Sequence, residues 1–131
     1  MQTNAKGIAG LFLVLVVAWS GCSPQKTLAH RLAGADRVIV TNSYDRLSIT
    51  VTGEEVNKVV QAIATGRKEN RDIQATPGLD FQFFKGVEHL ETITTAIQVF
   101  WIARKPYIDQ TGMLEALAHR FREEHPPLFS H

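Results

Sequence analysis

Between Leu47 and Ile63 the hydrophobic period changes from two residues to the helical 3.6. That switch confines the chain to folds in which a half-buried strand feeds directly into an amphipathic helix. Leu47, Ile49 and Val51 alternate with Ser48, Thr50 and Thr52, so one strand face is apolar and the other bears hydroxyls. Val56, Val59, Val60 and Ile63 then recur at i, i+3, i+4 and i+7, a stripe that buries one helix face. Thr52 and Glu55 have the spacing of a capping box, and Gly66 stands where a helix ends on a left-handed residue. A second β-branched run, Arg37 to Thr41, precedes the first strand across Asn42, Ser43, Tyr44 and Asp45. Those four residues are turn formers, so the two runs predict a hairpin.

Further along, Leu79 to Lys85 alternates Leu79, Phe81 and Phe83 against Asp80, Gln82 and Phe84. A turn over Lys85 to Glu88 leads to strands at His89 to Thr95 and Ile97 to Ile102, with a short edge piece at Pro106 to Ile108. A last helix over Thr111 to Glu124 presents Leu114, Leu117, Ala118 and Phe121 and ends before Pro126 and Pro127. The charged stretch from Arg67 to Gly78 reads as a solvated connector. The element order is therefore ββαβββα. It predicts an α+β fold: one antiparallel sheet of about four to five strands with two helices on one face.

The only cysteine, Cys22, closes an apolar run from Gly7 to Ala18 that one lysine, Lys6, precedes. About a dozen helical residues cover ~18 Å, short of the ~30 Å hydrocarbon core but suited to a secretory signal. With no second thiol, Cys22 is not half of a disulfide within the chain. The segment Trp19-Ser20-Gly21-Cys22 resembles the lipobox of bacterial lipoproteins, although Trp19 occupies a position that is usually aliphatic. The resemblance implies cleavage between Gly21 and Cys22, a diacylglyceryl group on the thiol and acylation of the new amino terminus. Residues 1–21 would then be a signal peptide, 22–35 the lipidated cysteine with a tether, and 36–131 the α+β domain. Leu28 and Leu32, four apart, would dock any helical turn of the tether onto that domain. The implied address is the cell envelope, with the bilayer held through Cys22. In Gram-negative bacteria the non-acidic Ser23 implies the outer membrane, facing the periplasm.

Removing Lys6 with the signal leaves thirteen cations against thirteen acids, which gives no electrostatic case for nucleic acid or acidic lipid. The histidines and the single cysteine lack metal-ligand spacing, and the glycines form no phosphate-binding fingerprint, so neither metal nor cofactor is expected. His89 and Glu91, two apart on one strand, are predicted to share a face, and with Asp80 they are the weak polar candidates. The sheet face away from the helices offers more. Strand parity assigns it Ile39, Ser48, Thr50, Gln82 and Phe84, and also Phe100 and Ile102 if Val99 and Trp101 point inward. A mixed platform of aromatic, aliphatic and hydroxyl groups suits a protein interface. The leading segment, a bulged strand or a homodimer would also cover it. The expectation is a non-catalytic interaction module for another envelope protein. The alternatives are an inhibitor or immunity-type protein and a domain that binds or processes a small ligand.

Overall fold

The computed structural model describes residues 23–42 and 46–126. The signal segment, Cys22, the turn residues 43–45 and residues 127–131 lie outside the described residues.

Three helices and seven strands follow in the order α1 (Pro24–Leu32), β1 (Arg37–Thr41), β2 (Ser48–Thr52), α2 (Glu54–Thr65), β3 (Arg67–Lys68), β4 (Leu79–Lys85), β5 (Glu88–Ala96), β6 (Val99–Ile102), β7 (Lys105–Ile108) and α3 (Met113–Glu124). The strands form one antiparallel sheet, β2-β1-β4-β5-β6-β7-β3. The α+β class with a single antiparallel sheet holds. The expected four to five strands become seven, and the order ββαβββα gains α1 and β3; β7 stands where a short edge piece was expected, but β3 lies outside it and takes the edge.

The added elements have local causes. The stretch expected as a tether is α1: Ser23 caps it by accepting from the Lys26 amide at 3.1 Å, and Pro24 opens it. Leu28 and Leu32 from this helix enter the core, Leu32 fully buried, so the folded domain begins well before residue 36. β3 is two residues long, and only its pairing with Ile108 and Tyr107 of β7 reveals it. No helix among the described residues is long and apolar enough to cross a membrane.

The three helices among the described residues cover one sheet face. Leu28 and Leu32 of α1, Val56, Val59 and Ile63 of α2, and Leu114, Leu117 and Phe121 of α3 share one cluster with Val38, Val40, Ile49, Val51, Phe81, Phe83 and Ile93. The capping box expected from sequence takes a different form. No side chain caps α2, whose N-cap is Gly53 at φ 69°. Glu55 instead receives Arg120 of α3 in a bidentate pair, with N–O distances of 3.1 and 2.5 Å. A second helix lying within reach of Glu55 outcompetes the local capping box.

The hydrogen bonds and charge of Arg120 hold the Glu55 carboxyl below its usual range. A depressed folded pKa adds stability above the ordinary carboxylate range and loses it as pH falls through the folded value. Both side chains are about 40% exposed, so solvent screening limits the pair to about 0.5–1 kcal/mol. Glu55→Gln is therefore expected to lower the urea midpoint slightly at neutral pH, and the difference to shrink as pH falls through the folded carboxyl's lowered value. A constant difference across that range would remove the ion pair as its source.

Asp109 anchors the last helix from outside it. Its buried carboxylate accepts from the Thr111 amide at 2.8 Å, the Thr111 hydroxyl at 2.7 Å and the Leu114 amide at 2.9 Å. The Leu114 bond satisfies one of the amides that the first turn of α3 leaves unpaired, and the two Thr111 bonds hold the loop before it. Asp109→Ala is expected to cost about 1–3 kcal/mol, read as a lower urea midpoint at unchanged slope.

Candidate functional site

The sheet face without helices is laid out by register. Three ranks cross β2, β1, β4 and β5: Ser48, Thr41, Asp80, Thr94; then Thr50, Ile39, Gln82, Thr92; then Thr52, Arg37, Phe84, His89. A further rank, Ala96, Val99, Ile108 and Arg67, continues over β6, β7 and β3, with Trp101 opposite Pro106. Ile39, Gln82, Phe84, Val99, Trp101 and Ile108 are half-buried, while Ser48, Thr50 and Thr92 are exposed. Apolar and hydroxyl-bearing side chains therefore alternate over one open surface.

Phe84 is the most elaborated member. The Arg37 guanidinium lies 4.8 Å from its ring centroid, and the His89 ring meets it edge-on at 5.3 Å. His89 Nε2 shares a 2.7 Å hydrogen bond with the Thr92 hydroxyl, and the Thr94 hydroxyl donates to Asp80 at 3.2 Å. One of these bonds runs along β5 and the other crosses from β5 to β4.

Five of the seven residues assigned to this face from sequence lie together on it: Ile39, Ser48, Thr50, Gln82 and Phe84. Phe100 and Ile102 do not. Phe100 is fully buried, Ile102 is nearly so, and Val99 and Trp101 take the outer face instead. The reason is the β5–β6 hairpin. Ile97 and Gln98 form its two-residue turn, with Ile97 at φ 55°, so the strand begins at Val99 rather than Ile97. Pairing of Phe100 with the buried Thr95 then turns the phenylalanine inward. A turn without glycine, asparagine or proline gave no local signal of its place.

The expected pairing of His89 with Glu91 also fails. Phe84 pairs with His89 but Phe83 pairs with Glu91, so Leu90 is an extra residue in a β-bulge. His89 consequently joins the outer face, whereas Glu91 joins the helix face and forms an ion pair with Arg31 of α1. Asp80 is bonded to Thr94 on the outer face. The three candidates do not converge on one point. Among the described residues, no group of three His, Cys, Asp or Glu side chains could hold a metal.

A second concavity lies on the helix side. Pro24, Thr27, Leu28 and Arg31 of α1, Glu91 of β5, and Ile102 with Ala103 enclose about 440 Å³ of open groove. Its floor is mainly apolar, and the Arg31–Glu91 pair closes one end. Sequence reading missed this groove because it requires α1 to be docked. The i, i+4 spacing of Leu28 and Leu32 was the available signal.

Comparison with protein-family models, curated proteins and solved structures finds no match to the chain.

Proposed function

We propose that this chain is a bacterial cell-envelope lipoprotein, acylated on Cys22, whose domain binds another envelope protein through the open sheet face. The lipobox-like Ser20-Gly21-Cys22 after an apolar run supports the anchor. One observation supports the binding face above the others. Ile39, Phe84, Val99, Trp101 and Ile108 are half-buried on the sheet face that no described helix covers. Aromatic anchors within a hydroxyl-bearing surround are the composition of a protein interface.

A binding role is favoured over catalysis because His89, Glu91 and Asp80 are each engaged by a separate neighbour. Catalytic groups need mutual reach, and these point to two faces. An inhibitor or immunity role would use the same sheet face, with an enzyme or toxin as the partner.

The test places a photo-crosslinking amino acid at Thr50 in the anchored protein in living cells. A discrete adduct is expected, and Phe84→Asp or Trp101→Asp should reduce it at least about tenfold, as for central interface residues. Undiminished crosslinking in both variants would reject this face as the binding surface. A homodimer would be recognised by an adduct at twice the chain mass.

A further inference from the structure

The fold gathers cations at the corner from which the N-terminal segment leaves. Gln25 Nε2 donates to the carbonyls of Ile63 at 2.9 Å and Gly66 at 2.8 Å, pinning the start of α1 to the end of α2. Ser23, the N-cap, is thereby fixed on the body of the domain. Cys22 is one peptide away, about 3.8 Å from Cα to Cα. No spacer separates the domain from that cysteine.

Four exposed cations stand on the elements that adjoin this exit. Lys26 stands on α1, Lys68 on β3 opposite Tyr107, and Lys105 on β7 opposite Ile102. Arg104 is in the β6–β7 turn beside Ala103, which lines the groove together with Pro24. None of the four has an ion-pair partner among the described residues. The acids nearby are engaged: Glu91 by Arg31, and Glu69 by Arg67 and Arg71. Asp72, in the loop that follows Arg71, is exposed. A chain balanced in total charge thus has a local excess of positive charge where it leaves toward Cys22.

We infer that this corner is a membrane-seating surface, in which Lys26, Lys68, Arg104 and Lys105 rest on anionic phospholipid headgroups. The inference depends on the proposed lipidation of Cys22 and deepens it by assigning the domain's orientation. Three observations select lipid as the occupant: the exit point, the absence of a spacer and the sign of the charge. A lipid surface brought within a few ångströms by the anchor presents phosphates at a high effective concentration. Seating by the α1 side leaves the opposite sheet face clear of the lipid, open to a partner.

The test uses the full-length protein purified from bacterial membranes, with the mass of the Cys22 peptide measured first. It is reconstituted into vesicles of phosphatidylcholine alone or with phosphatidylglycerol. Lysines are reductively methylated with formaldehyde, an uncharged reagent, and each site is followed by mass spectrometry. Lys26, Lys68 and Lys105 should react at least about threefold more slowly on the anionic vesicles, and Lys58 and Lys85 at unchanged rates. The protection should disappear near 1 M salt, where the Debye length is about 3 Å. Arg104→Gln with Lys105→Gln should abolish it at Lys26 and Lys68. Equal rates on both vesicles, with lipid present on Cys22, overturn the seating surface while leaving the anchor intact. A Cys22 peptide without lipid overturns both.

Discussion

Phe100→Asp is expected to abolish the folded domain, whereas Trp101→Asp, one residue along, leaves it folded. Phe100 is fully buried against Tyr107, their rings stacked at 5.5 Å and 15°. Removing a buried phenylalanine side chain alone costs about 3–5 kcal/mol. The substitution also places a carboxylate in an apolar cluster with no cation to receive it. A small domain has a total stability on the order of 5–10 kcal/mol, so the variant is expected unfolded at 25 °C. Trp101 faces outward and is half-buried, and its replacement is expected to cost about 1 kcal/mol. Circular dichroism melts of the two variants decide the matter. A cooperative transition for Phe100→Asp near that of the unmodified protein would mean that the β6 register is other than described.

The second large effect centres on Gly66, and here two physical accounts of one glycine differ in sign. Read from sequence, Gly66 ends α2 by adopting a left-handed conformation. Its φ is −59° and its ψ 143°, an extended geometry open to any residue. Were backbone freedom the whole story, Gly66→Ala would stabilise by about 0.4–1 kcal/mol through the unfolded chain. The ring of Phe100 forbids that. A Cβ on residue 66 would lie 2.4 Å from Phe100 Cζ and 2.7 Å from Cε1. The ring is fully buried and stacked on Tyr107 in a close-packed core, so Gly66→Ala is expected to cost about 1–3 kcal/mol. Phe100→Leu should relieve the clash, so a double-mutant cycle in urea should show coupling of about 1 kcal/mol or more. Additive effects would show that the two residues do not meet.

These experiments bear on the binding face as well as on the fold. The surplus of apolar side chains on the outer face was legible in Ile39 and Phe84, because the alternation in β1 and β4 runs unbroken to the strand ends. In β6 the assignment of Phe100 and Ile102 to that face required Val99 and Trp101 to point inward, whereas the turn at Ile97 and Gln98 pairs Val99 with Ala96 and Phe100 with the buried Thr95. That pairing exchanged Phe100 and Ile102 for Val99 and Trp101 on the outer face. The same kind of error, a single extra residue at Leu90, separated His89 from Glu91. Side-chain direction in a strand has period two, so every uncounted bulge or turn reverses all that follows.

The sequence by itself determined the α+β class, the β2-to-α2 switch and the core stripes of α2 and α3. Each is written in hydrophobic periods that neighbouring residues define among themselves. Only the tertiary structure decided that α1 belongs to the core, that Gly66 yields space to Phe100 and that Glu55 pairs with Arg120. It alone brought Lys26, Lys68, Arg104 and Lys105 to one corner of a chain whose total charge is nearly balanced. Such contacts join residues tens of positions apart, and no local period or propensity records which distant side chain will arrive.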